Sequence, residues 1–194
     1  MDRSQPTFRT QKREHVIRDD KYWLPLLGLY HGNRLDEFAQ LRREDVKQGE
    51  GGVWYLDIHG KDGRQIKNDQ SARRVPIHPA IEARGFLEYV RSTALKAGDM
   101  VFKPGGPDKK VGYYFTNWWT AYRKSVGVYA RGLDYHSFRH GVPTKLFAAR
   151  APRDIIDELT GHEGEGTSQR VYKHDTPLPL LLAEIAKVEW PELS

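Results

Sequence analysis

The chain contains no cysteine among its 194 residues. Disulfide scaffolds, thiol nucleophiles, zinc ribbons and cysteine-ligated clusters are therefore excluded. The longest apolar run, residues 178–183, is interrupted by Pro179 and is far too short to span a bilayer. The first six residues lack the apolar core of a signal peptide. We therefore expect a soluble, cytoplasmic protein with no membrane partner.

The composition is that of a folded domain. Hydrophobic residues make up 38% and charged residues 29% of the chain, and aromatic residues account for 11%. A chain of this length buries a real core in one domain, with room for a small appendage. These fractions argue against wholesale disorder.

Positive charge is concentrated in the middle of the chain, although the net charge is only +5. Residues 101–150 contain nine Lys and Arg against two acids, whereas residues 151–194 contain four against nine. Five aromatic residues are interleaved with the central bases: Tyr113, Tyr114, Trp118, Trp119 and Tyr122. This pattern fits a surface for a polyanion. It fits equally well a solvated basic helix face over an aromatic core.

Apolar periodicity and capping residues predict a mainly helical chain. Residues 1–18 are polar and aperiodic, and are typical of a linker or tail. Asp19 and Asp20 are candidate caps for a helix over 21–31, which Gly32 ends. A short helix over 34–41 would place Arg34 and Glu37 on a common face. Further helices are predicted over 81–95, 112–126, 138–150, 153–160, 167–173 and 178–187.

Three short segments near the front predict β-structure. Residues 53–58 alternate as a strand and are followed by a turn over 59–63. Residues 65–67 and 73–77 are candidates for two more strands. The predicted fold class is therefore α+β and mainly α, with a small three-stranded antiparallel sheet. A surface loop is expected over 104–107.

Two familiar motifs are incomplete. Gly161 and Gly166 have the glycine spacing of a phosphate-binding loop, but Thr167 stands where a lysine is required. His136 and His140 could share a helix face with a metal ion, but Arg139 lies between them. A divalent cation beside a guanidinium is electrostatically unfavourable. We expect no metal site here.

Four segments occur in an order that identifies a family. The first places Arg34 directly after a glycine-containing helix break, and the second carries Lys67 into a hairpin before an R-x-V-P pattern. The third is the pattern HxxR at His136 and Arg139. The four segments are residues 29–41, 66–77, 133–140 and 159–162, the last followed by Val171-Tyr172. Together they resemble the catalytic domain of the tyrosine site-specific recombinases, the phage-integrase family, from about residue 20 onward.

The resemblance implies the DNA breaking-rejoining enzyme fold and a defined cleavage chemistry. Tyr172 would attack the DNA backbone and form a 3′-phosphotyrosine, and the proton donor to the leaving 5′-oxygen would be Lys67. A tyrosine phenol has an ordinary pKa of about 10, so neighbouring cations must help it to ionise. Arg34 and Arg139 suit the phosphorane charge because a guanidinium presents paired planar donors to phosphate.

The remaining roles also follow from the resemblance. His136 would assist proton transfer, His162 would hydrogen-bond a non-bridging oxygen, and Glu37 would support the site. No cofactor and no metal is implied. The partner is double-stranded DNA, with self-association in a DNA synapse, and the protein would be bacterial or phage-encoded and act on chromosomal DNA.

Simpler interpretations exist for each residue taken alone. Arg34 could merely pair with Glu37, Lys67 could be a solvated strand end, and Tyr172 could be a core residue. The gap from His162 to Tyr172 is ten residues, whereas nine is the usual family spacing. Two alternatives stay open: a relaxing enzyme similar to type IB topoisomerases, which shares the chemistry, and, if this spacing misplaces Tyr172, a catalytically impaired DNA-binding relic.

The resemblance also predicts the domain organisation. Residues 19–194 correspond to the catalytic domain, and the N-terminal DNA-binding domain usual in the family is expected to be absent. Weak DNA affinity should follow. The apolar helix within residues 176–194 could pack within its own chain or dock onto a neighbouring protomer in the synapse, and the sequence leaves both open.

Overall fold

The computed structural model describes residues 19–68, 71–94, 96–103, 110–162 and 176–191. Within them the chain forms eight α-helices and one three-stranded antiparallel sheet, which confirms the predicted fold class. The helices are α1 (Asp20–His31), α2 (Leu35–Ala39), α3 (Pro79–Ala83), α4 (Phe86–Thr93), α5 (Val111–Ser125), α6 (Ser137–Ala148), α7 (Arg153–Thr160) and α8 (Leu178–Ile185). The strands are β1 (Val46–Gln48), β2 (Trp54–Ile58) and β3 (Arg73–Pro76). None of the described helices combines the length and apolarity needed to cross a membrane.

The first helix begins and ends where its capping residues predict. The side chain of Asp19 accepts a hydrogen bond from the backbone N–H of Lys21 at 3.0 Å. Gly32 ends the helix in the left-handed conformation, at a φ of 68°. The buried face of α1 packs against α2, α5 and α6. This packing fixes the direction in which the chain leaves α1 towards Arg34.

The second helix is shorter than the predicted 34–41. It spans five residues, and Arg34 precedes it as the N-cap in extended conformation. Because the carboxylate of Glu37 accepts the backbone N–H of Arg34 at 3.0 Å, the start of the helix is capped from inside. Arg34 and Glu37 are thus joined through a cap rather than through a common helix face.

The sheet has three strands as predicted, but one of them is β1 and not the predicted segment 65–67. Its order is β1-β2-β3, and Leu56 of the central strand pairs with Val46 on one side and Val75 on the other. The predicted strand over 65–67 was wrong, because the side-chain amide of Gln40 takes both backbone hydrogen bonds of Gln65. Gln40 accepts the Gln65 N–H at 2.6 Å and donates to its carbonyl at 2.7 Å.

The helix predicted over 81–95 is two helices. Gly85 has a φ of 87° and separates α3 from α4. The four later helices within the described ranges agree with prediction to within two residues at each end. The predicted tail over 1–18, loop over 104–107 and helix over 167–173 lie outside the described residues.

The C-terminal helix packs within its own chain. Leu178, Leu181, Ile185 and Val188 are completely buried. The backbone N–H of Leu178 donates to the Glu50 carboxylate at 2.9 Å. The helix contacts β3, α7 and the short 3₁₀ turn Glu50–Gly52. Of the two alternatives for this helix, the structure shows the intramolecular one.

Candidate active site

Four of the predicted site residues line one cleft of about 650 Å³. Arg34 and Glu37 enter it from the start of α2, Lys67 from the connection between β2 and β3, and His136 from the residue before α6. These segments are far apart in sequence, and the fold brings them together. Arg139 and His162 adjoin this group without lining the cleft.

Arg34 is held by Glu37. Its Nη1 donates to the Glu37 carboxylate at 2.9 Å, while the Arg34 side chain keeps 27% of its surface exposed and that of Glu37 only 2%. A guanidinium has five N–H donors, and one is occupied here. The pair therefore fixes the direction of Arg34 and leaves donors for a ligand in the cleft.

Arg73 joins the segments of the site and has no predicted role. It lies on β3 with its side chain only 3% exposed. Its Nη2 donates to Glu37 at 2.7 Å, its Nη1 to the carbonyl of Ser71 at 2.6 Å, and its Nε to the carbonyl of Leu159 at 3.4 Å. One buried guanidinium thus connects α2, the β2–β3 connection and α7.

A weak sequence signal for Arg73 exists. It precedes the fully buried Val75 by two residues on the same strand, so both side chains lie on the face that meets the core. An arginine at a core-facing position needs a buried acceptor. That acceptor, Glu37, is 36 residues away in sequence, and no local pattern links the two.

Glu37 carries its negative charge inside the protein. Burial by itself raises the pKa of the Glu37 carboxyl, but the charge and hydrogen bonds of Arg73, together with the hydrogen bonds from Arg34, outweigh it. The pKa of Glu37 therefore lies below its ordinary value. The carboxylate stays ionised and orients both arginines.

Arg139 projects from α6 onto the end of α7. It is 4% exposed, and its two terminal nitrogens donate to the carbonyls of Thr160 and Gly161. Those carbonyls end a helix, where a cation is favourable. Burial and the nearby charges of Arg34 and Arg73 lower the pKa of Arg139 to about 10, against the opposing influence of Glu37. Arg139 remains protonated at neutral pH.

His162 is held in one tautomer. The hydroxyl of Thr160 donates to the carbonyl of Ile156 at 2.6 Å, so its oxygen accepts the Nδ1–H of His162 at 2.7 Å. Burial, then the charges of Arg139 and Arg34, lower the pKa of His162 to about 4. The ring is neutral at pH 7, and its Nε2 carries the lone pair.

Gly161 allows Arg73 and Arg139 to meet at the end of α7. Its φ is 65°, a conformation that favours glycine. A Cβ at this position would lie 2.6 Å from the guanidinium carbon of Arg73. The glycine of the predicted L-x-G-H segment is therefore required both by its backbone angle and by the close approach of Arg73.

Lys67 lies on a connection that is anchored at its base. The fully buried carboxylate of Asp45 accepts two hydrogen bonds from Arg64, from Nε and Nη2, both at 2.8 Å. His59 Nε2 also lies 3.1 Å from Asp45. Lys67 itself is exposed at the mouth of the cleft. A rigid anchor therefore supports a solvent-accessible ammonium group.

His136 is presented by the turn that starts α6. The carboxylate of Asp134 accepts its backbone N–H at 2.7 Å, and Ser137 Oγ accepts the backbone N–H of Asp134 at 3.1 Å. The rings of His136 and His140 are 5.3 Å apart. Within the described ranges no group of three or more histidine and acidic side chains is placed to hold a metal ion.

The predicted nucleophile, Tyr172, lies outside the described residues. The segments on either side of it are held by α7: His162 through Thr160, and Thr176 through its hydroxyl, which donates to Glu158 at 2.6 Å. The hydroxyl of Tyr135 is buried and hydrogen-bonded to α1, outside the cleft chemistry. Tyr135 is 6% exposed, donates to the carbonyl of Leu24 at 3.0 Å, and its pKa is raised by burial well above the ordinary value.

The comparison with known proteins agrees with the resemblance found in the sequence motifs. The family model described as the phage integrase family matches residues 11–178. A search of curated protein sequences found no match.

Solved structures share the fold. The integrase from mycobacterium phage Brujita superimposes with a TM-score of 0.59 at 18% identity, over 87% of this chain and 51% of that one. The XerH site-specific recombinase bound to palindromic difH substrate, a post-cleavage complex, gives 0.58 at 21% identity over 84% and 44%. The XerH pre-cleavage complex gives 0.57 at 21% over 84% and 45%. The chain thus spans about half the length of these proteins.

Proposed function

Because the chain belongs to the phage integrase family, we propose that it cuts and rejoins double-stranded DNA at specific sites through a covalent 3′-phosphotyrosine. The observation that carries the proposal is the convergence of Arg34, Lys67 and His136 on one cleft, with Arg139 and His162 beside it. Three cations and two imidazoles from separate segments suit a phosphodiester.

The cleavage step needs only side chains of the protein and the phosphodiester of the DNA. The phenol of Tyr172 passes its proton to the imidazole of His136 as its oxygen attacks the scissile phosphorus, and the bond from phosphorus to the 5′-oxygen breaks. The electron pair goes to the 5′-oxygen, and the ammonium group of Lys67 supplies the proton. Rejoining is the reverse attack by a 5′-hydroxyl. Because a phosphoester bond is kept throughout, ligation needs no ATP.

The arginines stabilise the phosphorane. Two donors of Arg139 are occupied by the carbonyls of α7, which leaves three for phosphate oxygens. Burial, and after it repulsion from Arg34, lowers the pKa of Arg139. A bound phosphate relieves that repulsion, so the site is electrostatically complementary to an anion.

The two histidines would supply the remaining hydrogen bond and proton transfer. A neutral His162 offers a lone pair at Nε2, and it becomes a donor to a non-bridging oxygen when a phosphate raises its pKa from about 4. His136 would assist proton transfer around Tyr172. Since arginine and lysine supply the charge, the chemistry requires no metal.

Partners and organisation follow as parts of the same proposal. Residues 19–194 act as the catalytic unit and residues 1–18 as a linker or tail. XerH was solved bound to its difH substrate, and we infer that double-stranded DNA is the partner here. Self-association would occur in the synapse, because two duplexes must be cut together.

The test is covalent capture from a randomised pool of nicked duplexes. When the nick lies close to the cleavage site, the short fragment that carries the new 5′-hydroxyl diffuses away after cleavage. The protein then stays attached to the 3′-phosphate. The wild-type chain should form an adduct in the presence of EDTA, and Tyr172→Phe should not. Tyr129→Phe is the matched control, because Tyr129 also lines the cleft.

The outcomes separate the alternatives. Adducts that persist in Tyr172→Phe would contradict the assignment of the nucleophile, and a strict metal requirement would contradict the mechanism. A chain that binds DNA without forming any adduct would be a non-catalytic relic. Relaxation of supercoiled plasmid with no sequence preference among the captured DNA would indicate a topoisomerase-like enzyme.

A further inference from the structure

The cleft has a second wall that the cleavage chemistry does not use. One face of α5 forms it, through residues on successive turns: Thr116, Trp119, Thr120 and Arg123. The segment after α5 closes this wall with Tyr129 and Leu133. Arg34 and Lys67 lie on the other wall.

Two hydrogen-bond donors in this wall have no acceptor. Trp119 Nε1 and Arg123 Nε are both buried, and neither finds a partner among the described residues. Arg123 is only 8% exposed. Buried N–H groups without acceptors are rare in folded proteins, and each one needs an explanation. Both belong to residues that line the same cleft.

Arg123 is fixed in place by its other contacts. Its guanidinium carbon lies 5.8 Å from the ring centroid of Trp119 and 5.4 Å from that of Tyr129. Its Nη1 donates to the carbonyl of Leu133. The cover over the guanidinium is therefore an aromatic ring that is 45% exposed. Rotation of the Tyr129 side chain would open one side of the guanidinium without moving α5.

The chemistry of this wall selects an anion. Indole and guanidinium nitrogens donate hydrogen bonds and accept none. Lys124 adds a further cation 4.9 Å from the Tyr129 ring. Three carboxylates also line the cleft. Glu37 is paired with Arg34 and Arg73, Asp134 accepts the backbone N–H of His136, and Asp36 packs against Gly112 at the start of α5.

We propose that Trp119 and Arg123 form a second phosphate subsite, which holds a non-scissile phosphate of the DNA while Arg34 and Lys67 address the scissile one. This inference rests on the proposed function. A cleft of about 650 Å³ is larger than one phosphodiester requires, and its two walls carry separate sets of donors. Two fixed phosphates would set the register of the strand before cleavage.

The experiment is a methylphosphonate scan of the DNA captured in the adduct assay, measured as equilibrium binding in the Tyr172→Phe background. Each methylphosphonate removes one phosphate charge. We expect one non-scissile position at which neutralisation weakens binding about tenfold. Trp119→Phe should weaken binding to unmodified DNA to a similar extent and lose all sensitivity at that position. Arg123→Lys, which lacks Nε–H but keeps the charge, should reduce the sensitivity at that position without abolishing it.

Trp118→Phe is the matched control, because Trp118 is the neighbouring indole on α5 and does not line the cleft. It should retain the sensitivity of the parent protein at every position. If no position loses its sensitivity in Trp119→Phe, the subsite does not exist while the proposed function stands. If the wild-type chain neither binds DNA nor forms adducts, the proposed function fails as well.

A second arm distinguishes DNA from a free anion. Inorganic phosphate is titrated into the protein without DNA, and tryptophan fluorescence is followed. A saturable change below 1 mM that disappears in Trp119→Phe would assign the subsite to a free anion and overturn the DNA assignment. The absence of such a change, together with the methylphosphonate result, supports a phosphate of the DNA strand.

Discussion

At the scale of single residues, the site is held together by a buried ion pair. Arg73 and Glu37 are 2.7 Å apart, and their side chains are 3% and 2% exposed. A buried pair of this kind adds little compared with apolar packing, but removing one partner leaves an uncompensated charge. Arg34 therefore depends on a residue that need not touch DNA.

Replacing Arg73 should destabilise the fold strongly. Arg73→Leu leaves the Glu37 carboxylate buried without its main counter-charge, and we expect the free energy of unfolding to fall by about 3–5 kcal/mol. Urea denaturation followed by circular dichroism measures this. The double variant Arg73→Leu with Glu37→Gln should recover part of the loss, because the buried charge is gone.

Arg74→Leu is the control for that change. Arg74 is the next residue on β3 and pairs with Glu50, with both side chains partly exposed. Its loss should cost under about 1 kcal/mol. Equal effects at 73 and 74 would show that the buried pair has no special role.

Histidine burial should make the protein sensitive to acid. His31 Nδ1 lies 3.1 Å from the Leu27 carbonyl, and its Nε2 accepts the backbone N–H of His78 at 3.0 Å. Burial lowers its pKa to about 3 and that of His78 to about 4. Below pH 6.5 these histidines bind protons in the unfolded chain but not in the folded chain. The free energy of unfolding therefore falls as the pH falls from about 6.5 to about 4.

The size of this effect is set by linkage. Each such histidine contributes a slope of up to about 1.4 kcal/mol per pH unit. His31→Gln should flatten the dependence of the unfolding free energy on pH between 4 and 6.5, whatever it does to stability at pH 7. His140→Gln, at an exposed position, should leave the slope unchanged. A slope unaffected by His31→Gln would refute this origin.

At the scale of elements, the connection between β2 and β3 brings the proposed proton donor to the cleft. The segment that carries Lys67 is anchored at one end by Asp45 and Arg64 and is clasped near Gln65 by Gln40. Asp45 and Gln40 both lie outside the segment. The position of Lys67 therefore depends on side chains that do not line the cleft.

Loosening the anchor should impair the leaving-group step specifically. Asp45→Ala should increase hydrogen exchange over residues 59–68 and slow cleavage, because Lys67 is less well placed. A 5′-bridging phosphorothiolate substrate should restore the cleavage rate, since a thiolate leaves without needing a proton. Lys67→Ala should be rescued in the same way.

Asp57→Ala is the matched control. Asp57 lies on β2 and pairs with Lys47 at the surface, so both exchange and cleavage should stay close to wild type. Slow cleavage by Asp45→Ala that the phosphorothiolate does not restore would mean that the anchor acts on some other step.

Sequence patterns predicted the elements wherever a local signal decides them. Asp19 and Gly32 delimit α1 by capping, and the apolar periodicity of α7 is clear. The failures have non-local causes. The strand predicted over 65–67 does not form, because the backbone of Gln65 pairs with the side chain of Gln40 and not with a neighbouring strand. Gly85 breaks a helix whose apolar pattern continues across it.

The candidate site was predicted from the order of its motifs, and the structure brings Arg34, Lys67 and His136 to one cleft. The supporting residues were not predicted. Arg73 and Arg64 act through partners at sequence separations of 36 and 19. Such pairs are created by the fold, and one sequence contains no local trace of them.

At the scale of the whole molecule, the C-terminal helix belongs to the domain's own core. Leu181 is completely buried between elements of the same chain. Leu181→Ala should lower the free energy of unfolding by about 2–5 kcal/mol through a cavity. The melting temperature of both proteins should be independent of protein concentration, because the helix packs in cis.

Thermal unfolding at two protein concentrations tenfold apart measures this. Leu180→Ala is the control, since Leu180 is the adjacent leucine and is 49% exposed. A melting temperature that rises with concentration would mean that the helix is exchanged between protomers in solution.

The bond from Arg73 to the carbonyl of Leu159 closes a loop of 86 residues. Long-range contacts of this kind form late in folding, because the chain must lose much of its freedom before they are made. Arg73 therefore cannot make all of its contacts on a nascent or half-folded chain that lacks α7. The proposed cleavage centre would therefore gain its full set of supporting contacts only when the folding of the domain is complete.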